Sequence, residues 1–212
     1  TIGYMGLLIV YFMYALLYAN FEMDGAFADL FINYQGGFVR RGLLGELLYQ
    51  MSLLGVNPVI VAVLFLVVSF AVVAIYLIRA FYNRGYNLCL LPVCFLLGGF
   101  SLYDFTFYRR DFFMLCLFLL TVYLWRKMSY KKWLLVANLL TIFAILCYEP
   151  YAFWGIPFLL ILTNLRLRHL WQTVLAWTPA VFAFLLCCFY SGNQHVFDAV
   201  WSSVDVFVKN PS

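Results

Sequence analysis

From Pro58 to Ile78 the chain runs without a single charged side chain. At 1.5 Å per residue that is long enough to cross the roughly 30 Å hydrocarbon core of a bilayer. In water such a run would have to be buried by the rest of the domain, yet the rest is scarcely more polar. The sequence holds 13 Lys and Arg and 9 Asp and Glu in 212 residues, and 67% of its residues are hydrophobic. A soluble domain carries charge on about a quarter of its residues. A water-soluble globular protein is therefore excluded, and at about 20 apolar residues per crossing there is little room for a soluble catalytic module. No glycine-rich phosphate loop of the usual spacing occurs. The net charge of +4 is too small and too scattered to suggest a nucleic-acid partner.

Hydropathy predicts an all-α polytopic membrane protein with about seven transmembrane helices. The expected spans are Ile2–Ala19, Pro58–Ile78, Leu88–Tyr103, Phe112–Trp125, Trp133–Cys147, Tyr151–Leu162 and Val174–Tyr190. The chain reads as a single transmembrane domain over 1–212, with a first outer loop at 20–57 and an outer C-terminal tail at 191–212. Thr1 stands where a methionine would start a chain and no short basic leader with a cleavage site follows, so a signal peptide is not evident. A trimmed product, a fragment of a longer protein and a minimal module all stay open. Of the 6 cysteines, all but Cys147 sit inside apolar runs and none forms a C-x-x-C pair, which favours small membrane residues over a disulfide or zinc framework. Cys147 lies at an expected helix end beside Glu149.

Lys and Arg between the spans set the orientation. Arg79, Arg84, Arg126, Lys127, Lys131, Lys132, Arg166 and Arg168 fall on one side, expected to be cytoplasmic together with the N-terminus. Every acid falls on the other: Glu22, Asp24, Asp29, Glu46, Asp104, Asp111, Glu149, Asp198 and Asp205, with Arg40, Arg41, Arg109, Arg110 and Lys209 among them. Inner cations fix topology, but a plain membrane scaffold has no need to pair acids with arginines on the far face.

The one long connection, 20–57, is patterned. Gly42 to Leu54 places Leu43, Leu44, Leu47, Leu48, Met51 and Leu54 on one helical face, with Glu46 and Gln50 opposite. Such a helix, about 20 Å long, is too short to span and is expected to lie in the outer interface. A second amphipathic stretch, Ala26 to Tyr34, precedes it, with Gly36-Gly37 as a hinge between the two.

Four charged clusters lie at the expected outer lip. They are Glu22-Met23-Asp24, the Arg40-Arg41 pair in Gly37–Gly42, Asp104 with Tyr108-Arg109-Arg110-Asp111, and Tyr148-Glu149-Pro150-Tyr151. Taken singly, each has an ordinary reading. Carboxylates cap helix N-termini, as Asp111 is placed to do, and arginines snorkel to lipid phosphate. Together they suit a substrate with phosphate charge held by arginine forks and a hydroxyl activated by a carboxylate base. Glu149 is the acid with least water around it, so an unpaired charge there would be costly. His195 has no second histidine near it in sequence, so a zinc site is not expected. A divalent Mg or Mn ion on Glu22, Asp24 and Asp104 stays open, their spacing being undiagnostic.

An acidic first outer loop followed by interfacial helices, in a seven-span layout, resembles the membrane module of GT-C glycosyltransferases. The segments Gly37–Gly45, Tyr108–Phe113 and Tyr148–Pro150 are similar to segments of bacterial multi-spanning proteins of capsule and O-antigen assembly, including polymerase-like ones. The resemblance implies an enzyme of the bacterial inner membrane, active on the periplasmic face. It would move a sugar from a polyprenyl phosphate or pyrophosphate carrier to a glycan or lipid acceptor, with inversion. It further implies Asp24 as the base, Glu22 as its rival, and Glu149 as the retained carboxylate where related proteins carry His-Glu. Arg40, Arg41, Arg109 and Arg110 would hold the phosphates, with Asp104, Tyr108 and Asp111 beside them. A repeat-unit polymerase is the nearest variant. A lipid-linked sugar transporter or flippase is disfavoured because the spans carry no charge near the midplane. A non-catalytic membrane subunit, with the outer charges as interface salt bridges, is the third reading.

Overall fold

A computed structural model describes residues 25–83, 110–167 and 169–204, whose regular elements are all helices joined by turns and loops. The expected first and third spans, with Glu22, Asp24, Asp104, Tyr108 and Arg109, lie outside the described residues. The order is α1 (Gly25–Ala28), a 3-10 turn (Asp29–Phe31), α2 (Gly42–Leu53), α3 (Pro58–Asn83), α4 (Asp111–Lys127), α5 (Tyr130–Cys147), α6 (Tyr151–Leu167), α7 (Leu170–Ala176), α8 (Thr178–Phe189) and α9 (Gln194–Val204). Among the described residues two helices are long and apolar enough to cross a membrane, α5 and the Pro58–Tyr76 part of α3. A third crossing results when α7 and α8 are counted as one bent element.

That bend departs from the straight seventh span expected over Val174–Tyr190. The axes of α7 and α8 meet at 54° across Trp177. Pro179 sits in the first turn of α8 and has no N–H to give to the preceding turn. The Trp177 indole N–H turns inward to the Thr163 hydroxyl at 2.9 Å. Asn138 donates its amide to the Ala176 carbonyl at 3.0 Å, supplying a partner at the break. A buried polar side chain on α5 thus stabilises an irregular backbone that lipid would not tolerate.

Helix α5 is the centre of the bundle and packs against α4, α8, α6 and α2. Trp133 near its start is fully buried, gives its N–H to the Thr121 carbonyl at 2.9 Å, and meets the rings of Trp125 and Trp177 edge to face. The connections on either side of α5 are only a few residues long. They bring the start of α4, the end of α5 and the end of α8 to the same end of the bundle, where residues 29–41 meet them.

Helix α2 forms over the expected residues, but its apolar surface is divided. Gly42, Leu44, Gly45 and Leu48 are buried, whereas Leu47, Met51 and Leu54 are exposed. Gly45 decides the rotation, because a Cβ there would collide with the Ile32 carbonyl. The neighbouring atom is backbone and cannot swing away. Gly45→Ala is therefore expected to cost about 3 kcal/mol in overpacking against about 1 kcal/mol gained in helix propensity. The net loss should appear as a lower midpoint of thermal unfolding in detergent, and an unchanged midpoint would mean that α2 is free to move off the turn.

The amphipathic stretch expected over Ala26–Tyr34 is shorter than its pattern suggests. It consists of α1 and the 3-10 turn and ends at Ile32, with Phe27, Leu30 and Phe31 in the core. Asn33 stops it: its side-chain oxygen accepts the Gln35 N–H at 3.1 Å and its amide reaches Ser203 at 2.9 Å. Gly36-Gly37 is a closed turn rather than a hinge, with the Gly37 N–H on the Tyr34 carbonyl at 3.0 Å. Glu46 fastens this turn to α2 by accepting the Tyr34 N–H and the amides of Gln35 and Gln50. Residues 194–204, read from sequence as part of a tail, form helix α9. Asn193 caps it by accepting the Val196 N–H at 3.0 Å. Its Val200 and Val204 are buried.

Candidate functional site

Arg41 occupies a left-handed backbone conformation, φ 65°, at the entrance to α2. For a residue with a Cβ this costs about 1–2 kcal/mol, and glycine would fit without penalty. What the arginine contributes is its side chain. Its Nε and Nη2 each reach a Glu149 carboxylate oxygen at 2.7 Å, and its Nη1 reaches Asp29 Oδ2 at 3.2 Å. The Tyr148 ring lies 5.5 Å from the same guanidinium. The neighbouring Arg40 donates its backbone N–H to the Tyr190 carbonyl at 3.0 Å, tying the loop to the end of α8, while its side chain stands 3.8 Å from Glu149. Phe38 reinforces the tie, stacked on Tyr34 and edge-on to Tyr190.

Glu149 stands in the turn between α5 and α6, its side chain only 12% exposed. Burial alone would push its carboxyl up, but the Arg41 hydrogen bonds and the positive charges of Arg41 and Arg40 outweigh that and hold it below its ordinary range. The same contact, led by the hydrogen bonds to Glu149, raises Arg41. Glu149 is thus a locked anion, poorly suited to accept a proton from a substrate.

Arg110 immediately precedes α4 and its side chain is 4% exposed. Its Nη1 donates to the Cys147 carbonyl at 2.8 Å, the last residue of α5. Among the described residues its buried Nη2 has no hydrogen-bond acceptor, with Asp29 Oδ2 at 3.8 Å. Burial lowers the proton affinity of Arg110, Asp29 opposes the shift and Arg41 adds to it. A guanidinium nonetheless stays charged in proteins, so a buried donor is left facing the cluster.

The structure therefore joins the second, third and fourth sequence clusters: Arg40, Arg41, Arg110 and Glu149 converge on one place. Asp111 is exposed in the first turn of α4. The acid missed by sequence reading is Asp29, which bridges Arg41 and Arg110 while its side chain remains 42% exposed. The signal was available, since Asp29 is an acid within the apolar run Ala26–Phe31, the same criterion that singled out Glu149. Asp29 also lines a cavity of about 340 Å³ between residues 29–39 and the start of α9. Among the described residues no three His, Cys, Asp or Glu side chains converge as a metal set, and both carboxylates of the cluster are engaged by Arg41. These residues do not fit a divalent ion, and Glu22, Asp24 and Asp104, the expected Mg or Mn donors, lie outside the described residues.

Chemically, the arrangement offers a rigid cationic floor, one carboxylate locked in it and one carboxylate open to a cavity. Comparison with protein-family models, with curated proteins and with solved structures yields no match to this chain.

Proposed function

We propose that the protein is an outer-face membrane glycosyltransferase that takes a sugar from a polyprenyl phosphate or pyrophosphate carrier and passes it to a glycan or lipid hydroxyl. The observation that carries this reading is the arginine cluster at one end of an apolar helical bundle. Among the described residues three guanidinium groups meet two carboxylates there, an excess of one positive charge. Among the described residues the buried Arg110 Nη2 has no acceptor, and a phosphate oxygen would supply one. Arg40, half exposed, is placed to follow the phosphate from the solvent side. Arg41 is spent on Glu149 and Asp29, and its role is to hold the site rigid.

In the transfer step the acceptor hydroxyl oxygen forms a bond to the anomeric carbon of the donor sugar. The bond from that carbon to the phosphate oxygen breaks, and its electron pair leaves on the phosphate. The hydroxyl proton passes to a carboxylate. Asp29 takes this role better than Glu149, because it is exposed to the adjoining cavity and is not forked by an arginine. The growing charge on the phosphate is stabilised by Arg110 and Arg40, which are already in place and need no reorganisation.

The seven-span layout, the cytoplasmic N-terminus and the periplasmic active face of a bacterial inner membrane belong to the same reading. The exposed Leu47 and Met51 of α2, with Leu54 at its C-terminal cap, support an interfacial helix beside the site. The test is to incubate the purified protein with a polyprenyl-pyrophosphate glycan and look for a transferred sugar. One added sugar indicates simple transfer and a ladder of repeats indicates a polymerase. Flipping of the lipid-linked sugar in proteoliposomes with no covalent product would overturn the proposal in favour of a transporter.

A further inference from the structure

The cavity beside Asp29 has a chemistry of its own. Its approximately 340 Å³ lies near the lower end of the roughly 300–1,000 Å³ of small-molecule sites. One side is the 3-10 turn with the Asp29 carboxylate; the other is the start of α9 with Ser191, Asn193, Gln194, Phe197 and Trp201. No cation lines it among the described residues, so it is unsuited to a second phosphate. Ile32, Val39, Val196 and Val200 complete the lining, so most of its surface is apolar and its polar groups stand on one wall.

What the wall offers is a mixed set of donors and acceptors next to an aromatic face. Ser191 is exposed and Trp201 half-buried at this wall. Asn193 uses its oxygen to cap α9, leaving its amide hydrogens, and Gln194 gives its amide to Asp198 at 3.0 Å, leaving its oxygen. Trp201 and Phe197 stand edge to face with centroids 5.9 Å apart. A neutral polyhydroxyl ring matches this wall, since each hydroxyl both donates and accepts and the ring's C–H face packs on an aromatic side chain. Backbone constraints fix the wall in place. Gly192 at φ +89° turns the chain into α9, and a Cβ on Gly36 would come within 2.8 Å of Val196 Cα.

We infer that this cavity is an acceptor subsite for a single neutral pyranose ring, with Trp201 as its platform and Asp29 at its inner end. The inference rests on the glycosyl-transfer reading for its place in the reaction, because Asp29 Oδ2 lies 3.2 Å from Arg41 and 3.8 Å from Arg110, joining the cavity to the phosphate site. Binding of the ring itself does not require transfer to occur.

The test uses the whole chain in detergent and a panel of methyl glycosides of glucose, galactose, mannose and N-acetylglucosamine, followed by saturation-transfer difference NMR. At least one glycoside is expected to bind the wild type at millimolar concentration. Trp201→Ala should weaken it about tenfold, the size of one aromatic stacking contact, and Trp201→Phe should restore most of the loss. No binding by any glycoside, or binding that both Trp201 variants leave unchanged, would overturn the subsite. In the transfer assay, Trp201→Ala should raise the acceptor KM by a similar factor with kcat kept. An unchanged acceptor KM with active enzyme removes the subsite while the enzyme reading stands. Glycoside binding that depends on Trp201, with no transfer from any lipid-linked donor, supports the subsite and removes the enzyme reading.

Discussion

Asp29→Asn is expected to lower the rate of sugar transfer by about 10²–10⁴-fold, the range for loss of a positioned general base. The amide keeps the shape of the carboxylate and one oxygen able to accept from Arg41 Nη1, now at 3.2 Å, so the outer loop should stay docked. It cannot take a proton from the acceptor hydroxyl. The loss should fall on kcat, with the donor KM little changed, because in the proposed reaction Arg110 and Arg40 hold the phosphate instead. The measurement is the initial rate with a polyprenyl-pyrophosphate donor, with Asp24→Asn prepared in parallel. Full activity in Asp29→Asn together with loss in Asp24→Asn would move the base to Asp24, the acid that the family resemblance implies.

How far the fold could be read from sequence depended on the type of signal. Charge scarcity and long apolar runs made the helical class legible, and the starts and ends of α4 and α5 lie within a few residues of the hydropathy limits. The α7–α8 bend was not legible, because a window average treats Val174–Tyr190 as one apolar run. Pro179 weakened the helix there, and the Ala176 carbonyl found its partner in Asn138, some forty residues earlier. Helix α9 was obscured by an opposite effect. Its polar residues and short length read as a tail, whereas the Asn193 cap and Val196, Val200 and Val204 at four-residue spacing carried a helical signal. Within the site, Arg40, Arg41, Arg110 and Glu149 were legible one by one as charges at membrane depth. Their pairing was not, because it depends on a left-handed residue at Arg41 that no periodicity encodes. Asp29 was visible in composition but overshadowed by Asp24, which stands closer to the expected end of the first span.

Glu149→Gln is expected to open the Arg41–Glu149 end of the bundle by about 3 kcal/mol, the lower end of what removing one partner of a buried ion pair costs. The side chains of Glu149 and Arg41 are 12% and 26% exposed, so some water screens the loss. Removing the anion leaves the Arg41 guanidinium without its fork while its backbone still holds the unfavourable φ. Cys147 reports the opening, since it is fully buried at the end of α5 and its carbonyl is held by Arg110. In a background with the other cysteines replaced, labelling of Cys147 by a maleimide should speed up about 100-fold, 1.4 kcal/mol corresponding to a factor of ten. Acid should mimic the substitution. The native carboxyl of Glu149 sits below its ordinary 4.5, so the unfolded chain takes up this proton first as pH falls. The stabilisation is whole above about pH 4.5 and drains away as pH drops through the lower native value, and Glu149→Gln should flatten that part of the profile. The double variant Arg41→Gly with Glu149→Gln removes both charges and relieves about 1–2 kcal/mol of left-handed strain. It should therefore label more slowly than Glu149→Gln alone, even though it carries one more substitution. If the double variant labels faster than either single variant, the cost of Glu149→Gln does not come from an arginine left without its anion, and the ion pair is not what holds that end closed.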